Sequence, residues 1–326
     1  MITRTNAAPL IPDQISREIL QNVPQQSVFL SLARRMADMT SKQTKVPVMT
    51  DTLEANFVSG DTGRKLTSGM SWDNVFITAE ELAVIVPIPE AVLADASYDI
   101  WAQVRPRIEE AFARAIDAAA FFGIKKPATW PVGIVPGAIA AGNEVVHSEA
   151  AKDLYKEILG VGGVFSMVED YGFEISGLVG ALKLKAQLRG AVDANKQPIF
   201  RTAYSNGAGG RHIFELDGNP LIFPKNGAWD QDTLLLAGDF DMARYAIRQD
   251  ITYKIFDQGT ITDGTGNVTL SLMEQDCVAL RATMRLGWQL PKPVHPVAGK
   301  NYYPFAVLSN PASNNANPDN GEVGDL

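Results

Sequence analysis

One apolar stripe with α-helical spacing constrains this chain more than any other feature. In "SYDIWAQVRPRIEEAFARAIDAAAFFG", Ile100, Val104, Ile108, Phe112, Ile116, Ala119 and Phe122 recur at steps of four and three. That spacing places them on one side of a 3.6-residue repeat. Gly123 is positioned to close the helix at its C-cap, giving a rod of roughly 40 Å at 1.5 Å per residue. A stripe of that length must be covered by a second layer of structure. Pro106 removes a backbone donor and crowds the preceding turn, so a kink or a break is expected there.

A second signal precedes it. Residues Thr44 to Pro87 hold two stretches, "TKVPVMTDTLEANFVSG" and "SWDNVFITAEELAVIVPIP", rich in valine, threonine and aromatics, around the turn-like "DTGRKLTSG". This pattern predicts a long β-hairpin. Pro47 and Pro87 cannot donate to a ladder and belong at an edge or a strand end. A two-stranded ribbon is marginal by itself in water, so it must lie on its own domain or on a neighbouring subunit.

Around these two elements the chain reads as mixed α and β. Prolines 9, 12 and 24 and weak periodicity make the first 26 residues or so an extended arm, with a short amphipathic piece in "QISREIL". "SVFLSLARRMADM" predicts a short helix capped by Ser27, and "SEAAKDLYKEILGVGGVFSMVEDYG" a helix starting at Ser148, weakened by Gly162 and Gly163. "ISGLVGALKLKAQLRGAV" fits either a strand followed by a helix or one long strand. "LLLAGDFDMARYAIRQDITYKIF" and "VALRATMRLGWQLPKPV" read as strands separated by the turn-rich "DQGTITDGTGN". The end, "NPASNNANPDNGEVGDL", is polar.

Composition excludes several functions. The 326 residues, 46% hydrophobic, can bury a large core, and about 150 residues per domain gives roughly two domains. With 37 acidic against 29 basic side chains, the net charge of -8 argues against a protein built to grip phosphates, which shows a basic face. The single cysteine, Cys277, excludes an internal disulfide and a CxxC metal site, and its apolar setting reads as a buried thiol. The N-terminus has no apolar leader, and no stretch reaches the roughly 18 apolar residues of a membrane span. A soluble, cytoplasmically made protein is expected.

Candidate chemistry is sparse. His147, His212 and His295 are far apart and lack metal-ligand spacing. "GVGGVF" and "GAGG" complete no phosphate-binding motif. Glu80 with Glu81 and Glu109 with Glu110 are sequence neighbours that point apart, as solvated faces do. Asp239 and Asp241 in "GDFDMA" would share a strand face, the one constellation here that could suggest a divalent ion. No G-x-S-x-G elbow fixes a nucleophile.

The order of arm, hairpin, long helix, mixed region and returning strands resembles the Hong Kong 97 type of major capsid protein of tailed double-stranded DNA bacteriophages. "IPDQISREILQNVPQQSVFLSLARRM" looks like that family's N-terminal arm. "TSKQTKVPVMTD" with "FITAEELAVIVPIPEAVLADA" looks like the strands of its extended loop, and "IEEAFARAIDAAAFFG" is similar to its spine helix. "GLVGALKLKAQLRGAVDANKQPIF" resembles its axial strand, helix and turn, which favours the strand-then-helix reading. "LLLAGDFDMARYAIRQDITYKIF" and "DCVALRATMRLGWQLPKP" are like its closing strands.

The resemblance implies an α+β capsid fold in five parts: an N-terminal arm with a short helix (1–40), an extended loop (41–88), a peripheral domain with the spine helix (89–126 and 256–308), an axial domain (127–255) and a polar tail (309–326). It implies a non-enzymatic subunit that needs no cofactor or metal and assembles with itself into pentamers and hexamers around non-specifically packaged DNA. The hairpin's missing partner would come from a neighbouring subunit, and Asp61, Arg64, Lys65 and Trp72 would make loop contacts between subunits. Assembly in the bacterial cytoplasm and a final place in the virion head follow, away from any membrane.

Further partners would be a portal, decoration proteins and, because the chain begins at the arm, a separate scaffolding protein, unless it is an already processed form. The lysine–asparagine cross-link of some relatives is not expected. Lys65 lies suitably, but Val268 falls beside Asn267 where the asparagine belongs, and Gln275 where the glutamate belongs. The alternatives are a nanocompartment or gene-transfer particle shell of the same fold, and, from another class, a metal-dependent hydrolase using Asp239 and Asp241.

Overall fold

The computed structural model describes residues 26–58, 63–95, 99–148, 153–191, 214–295, 297 and 302–311. Helix α1 (Val28–Leu32) is followed by β1 (Arg34–Arg35), β2 (Gln43–Met49), β3 (Trp72–Thr78) and β4 (Glu80–Pro89). Helix α2 (Glu90–Asp95) leads into α3 (Ile100–Asp117), which runs on as a π-helical turn over Ala118–Phe122. Then come α4 (Ile134–Ala140), β5 (Glu144–Val146), α5 (Leu154–Leu159), α6 (Val164–Glu169), β6 (Gly177–Gly180) and α7 (Leu182–Gly190). The remainder is β7 (Phe214–Leu216), β8 (Asn219–Ile222), β9 (Thr233–Gly238), β10 (Arg244–Phe256), β11 (Thr260–Thr262), β12 (Val268–Ser271), β13 (Cys277–Gln289) and β14 (Phe305–Ser309).

Two sheets organise these elements, one in the order β1-β10-β13-β4 and the other β5-β14-β9-β6-β8-β7. The first is covered by α3. Alternate residues of β13, Leu280, Ala282, Met284, Leu286 and Trp288, share one buried cluster with Ile108, Phe112 and Ile116 of the helix. A period of two thus meets a period of 3.6 along one seam. The second sheet is covered on both sides. Leu236, Phe305 and Val307 belong to the α3 cluster, whereas Leu235, Ala237, Ala306 and Leu308 pack with Leu154, Ile158, Val164, Leu184 and Leu188 of α5 to α7. This explains why β9 is buried along its whole length: a strand covered on both faces reads as a continuous apolar run.

The long helix ends at Gly123 as expected, with φ 71° in the left-handed region. Its last turn is π-helical rather than α-helical. Of the kink or break expected at Pro106, the break is absent, and the helix is continuous through it. The expected helix from Ser148 is instead two short helices, because Gly160–Gly163 forms a tight turn and Asp153, not Ser148, caps α5 by accepting from Lys156 N at 3.3 Å. "GLVG" then "LKLKAQLRG" is a strand followed by a helix. The turn-rich region between the two long strands also contains β11. Residues 1–25, with "QISREIL", and His212 lie outside the described residues.

Asp117, 1% exposed, ties the start of the described chain to the end of the long helix. Its Oδ1 accepts from Ser27 Oγ at 2.5 Å and Phe29 N at 3.0 Å, and its Oδ2 from Val28 N at 3.0 Å and Asn226 Nδ2 at 2.6 Å. Ser27 in turn caps α1, as expected, by accepting from Leu30 N at 3.2 Å. Burial pushes the Asp117 carboxyl above its ordinary value in spite of these four donors.

An asparagine at 117 would turn an amide NH2 toward donors. Asp117→Asn is therefore expected to cost about 1–3 kcal/mol in denaturant unfolding at neutral pH. The folded-state value lies above the unfolded one, so the native state binds the proton first on acidification. The proton-linked part of the stability this group contributes is complete below the ordinary 3.8 and is lost as pH rises through the raised value, while the part that comes from the four hydrogen bonds remains. The wild-type advantage over Asp117→Asn should accordingly grow on acidification toward pH 4.

Candidate assembly surface

The expected hairpin is shorter than Thr44 to Pro87 and divides at Ala79. Strands β2 and β3 pair antiparallel from Gln43 opposite Thr78 to Met49 opposite Trp72. Strand β4 leaves the ribbon and pairs with β13 over its full length, Glu80 opposite Leu286 through Pro89 opposite Cys277. The partner expected from another subunit is thus supplied, for β4, by the chain itself. Pro47 and Pro87 do fall on edge strands.

The ribbon's root is held by burial of Val46 and Ile77 with Met39, Ala79 and Ala246, and by Val294 N donating to Met49 O at 2.8 Å. Gly287 in β13 makes that root possible. A Cβ there would overlap the Thr78 carbonyl oxygen and stand 2.7 Å from its carbon and 3.0 Å from Ile77 Cγ2.

Beyond Met49 and Trp72 the ribbon has few rungs. Thr50 N donates to Ser71 O at 3.0 Å, the two hydroxyls bond at 2.6 Å, Ser71 also donates to the Asp51 carboxylate, and Glu54 N donates to Ser68 Oγ at 2.9 Å. Most of its large apolar side chains face solvent: Phe57 is fully exposed, and Leu53, Leu66 and Trp72 are each more than 60% exposed. Such a concentration on a thin element marks an interaction surface. Of the four residues singled out from sequence, Arg64, Lys65 and Trp72 lie exposed on this ribbon, and Asp61 lies outside the described residues.

A groove that sequence reasoning missed opens between the end of α3 and the start of β4. Its volume is about 280 Å³, and Ile116, Ala119, Ile124 and Trp130 line it beneath Glu80 and Glu81. Glu81 Oε2 accepts from Arg285 Nε at 2.8 Å across the sheet, and Glu80 Oε1 accepts from Thr129 Oγ1 at 2.8 Å. The only trace of the groove in the sequence is Ile124, an apolar residue just past the C-cap glycine. It is 52% exposed.

The catalytic alternatives lose ground. Asp239 and Asp241 do not share a strand face. Asp239 caps a 3-10 turn over Phe240–Met242, its Oδ1 accepting from Asp241 N at 3.0 Å. Among the described residues no group of three or more His, Cys, Asp or Glu could hold a metal ion. His147 Nδ1 lies 2.5 Å from Glu157 Oε2 in a buried pair, and His295 stacks on Phe173 at 4.5 Å. Cys277 is buried and free. Asn267 Nδ2 donates to Thr265 Oγ1 at 2.9 Å within the β11–β12 turn. No helix among the described residues is long and apolar enough to cross a membrane.

Residues 7–296 match the model of the Phage capsid family. The chain belongs to the phage capsid family. A solved chain from Microbacterium phage Oxtober96 is 35% identical with a TM-score of 0.81, covering 95% of this chain and 99% of that one. One from Mycobacterium phage Cain is 30% identical with a TM-score of 0.78, covering 95% and 98%. The major capsid protein of Staphylococcus phage 80alpha is 28% identical over 282 residues, 84% of this chain and 79% of that protein. The expected family and its Hong Kong 97 type fold, mixed in helix and strand, are borne out, and the chain is a structural subunit of a phage capsid.

Because the ribbon's root depends on the missing side chain at 287, Gly287→Ala should destabilise the protein by about 1–3 kcal/mol. It should also expose the ribbon to limited proteolysis before the rest unfolds. Unchanged protease resistance and unchanged thermal stability would show that the crossing tolerates a methyl group.

Proposed function

We propose that this chain is the major head subunit of a tailed double-stranded DNA phage, building pentamers and hexamers of an icosahedral shell by self-assembly without catalytic turnover. The observation that carries this reading is a family match over nearly the whole chain, joined to a ribbon whose apolar side chains have no cover in a single subunit. Repeated heterologous contacts of one chain close into rings when the rotation allows, and a protruding ribbon is suited to such a contact. Asp61, Arg64, Lys65 and Trp72 act in those contacts.

The four-stranded sheet with α3 forms the peripheral domain and the six-stranded sheet with α4 to α7 the axial domain. Strand pairing supports moving two boundaries, with β10 joining the peripheral sheet and β14 the axial one. Two more limits move on the same grounds: the loop of 41–88 closes at Ala79, because β4 pairs with β13, and the tail of 309–326 begins after β14 ends at Ser309. A separate scaffolding protein, a portal and decoration proteins complete the particle, which is assembled in the host cytoplasm. Packaged DNA is held without sequence preference, its charge balanced largely by counterions, which suits a chain of net charge -8.

Electron microscopy of the expressed chain, with and without neighbouring gene products, tests this reading, and closed particles are the expected result. The nucleic acid inside separates a phage head from a gene-transfer or nanocompartment shell, since phage-length DNA is expected rather than short host fragments or a protein cargo. Removing the residues between Gly60 and Gly69 should leave a soluble, folded subunit that no longer forms shells. Normal shells from that deletion would remove the ribbon from the assembly mechanism.

A further inference from the structure

Helix α3 covers one face of the four-stranded sheet. Leu280, Ala282, Met284 and Leu286 of β13 pack toward it, so Arg281, Thr283 and Arg285, which alternate with them, point to the other side. The register fixes their neighbours on that side: Lys254 of β10 and Ile85 of β4 lie directly opposite Arg281, and Thr252 and Ala83 opposite Thr283. Lys254, Ile85 and Ala83 are exposed. The middle of this face is therefore open in the single chain.

Two cations, Lys254 and Arg281, thus stand side by side on adjacent strands with their Cβ atoms about 5 Å apart. Like charges so placed are destabilising. Glu81, the one carboxylate on this face of the paired registers, already accepts from Arg285 Nε at 2.8 Å, and the Arg281 guanidinium lies 4.7 Å from the Phe256 ring. On a chain of net charge -8, a cation pair without a counter-charge on an open face marks a seat for an anionic partner.

The chain holds a segment of the opposite kind. Residues 312–326 carry Asp319, Glu322 and Asp325 and no Lys, Arg or His, whereas the first 25 residues carry two acids and two bases. A spacing of three sets those carboxylates along one side of an extended polyproline-type segment, which repeats every three residues or about 9 Å, and sets Val323 and Leu326 along a second side. Such a segment can lay acids on the cation pair and apolar groups on Ile85. Its own subunit is a poor host, because Ser309 at the end of β14 pairs with Thr233 at the start of β9, while Lys254 lies near the far end of β10 in the other sheet. The stretch from Pro311 to Asp319 spans at most about 27 Å, short of the roughly 33 Å of β10 between Arg244 and Lys254 alone.

We infer that residues 312–326 of one subunit lie on the open sheet face of a neighbouring copy, with their carboxylates on Lys254 and Arg281. The inference rests on the reading of this chain as a self-assembling shell subunit and adds a contact that the reading does not name. Each subunit offers one tail and one seat, so the contact is heterologous.

Zero-length cross-linking of assembled particles tests it. A carbodiimide condenses a lysine amine with a carboxylate it touches, forming an amide while the reagent takes up the water as a urea. Wild-type particles should give covalent multimers on denaturing gels, and peptide mapping should join Lys254 to Asp319, Glu322 or Asp325. The yield should fall several-fold in about 1 M salt, where the screening length shortens to about 3 Å. Lys254 is an exposed strand residue, so its variants should fold. Lys254→Arg should lose the link but leave the tail as resistant to protease as in wild-type particles, whereas Lys254→Glu should lose both.

Particles in which Lys254 joins no tail carboxylate, or joins one only within a single chain, would overturn the seat and leave the capsid reading intact. Shielding of Lys254 from acylation only when DNA is packaged would also overturn it, since the anion on the face would then be the duplex. A wild-type chain that forms no particles even with its neighbouring gene products would overturn the capsid reading itself.

Discussion

Burial of the α3 stripe against β13 is the constraint on which the other elements depend. The seam joins Ile108, Phe112 and Ile116 to Leu280, Ala282, Met284 and Leu286, residues more than 160 positions apart. Each fully buried side chain of this kind contributes about 1.5–3 kcal/mol. The seam therefore offsets the entropy of closing a very long loop, a cost that grows only slowly with loop length. Everything between the two partners is then an insertion whose ends are already fixed, and the six-stranded sheet is free to form as a unit with its own core. The two units are joined through shared apolar residues, since Leu236, Phe305 and Val307 of the second sheet reach into the first cluster.

Asp117 sits where this seam meets the arm. A buried carboxylate is costly unless its oxygens are satisfied, and here two oxygens at the end of the long helix take four donors from two separate segments, three from residues 27–29 and one from Asn226. Phe29 is placed by this network among Phe121, Tyr245 and Trp288. The polar knot thus selects one docking of α1 from the many an apolar patch alone would accept.

Local signals carried the elements whose cause is local. The 3.6 period, the Gly123 cap and the Ser27 cap are properties of a few neighbouring residues, and each was legible. What was not legible came from long range. Nothing near Ala79 announces that β4 leaves the ribbon, because the reason lies at Gly287, where an absent side chain lets the Thr78 backbone pass. Pro106 is a breaker by its own chemistry, yet the stripe on both sides of it is buried in one core, and that burial outweighs a local cost of about 3 kcal/mol. Asp239 and Asp241 read as a shared face only under the assumption of a continuous strand, and Asp239 itself ends that strand by capping the turn.

The candidate surface divides in the same way. The ribbon's apolar and charged residues were visible as a sequence cluster, since they lie within about 20 positions of one another. The groove was invisible, because Glu80, Ile116, Ile124, Trp130 and Leu286 become neighbours only after α3 has packed on β13. The root of the ribbon divides along the same line. Val46 and Ile77 are legible as apolar residues of alternating strands, whereas the close passage of β13 beside them depends on Gly287, far along the chain, where a side chain would collide with the Thr78 carbonyl.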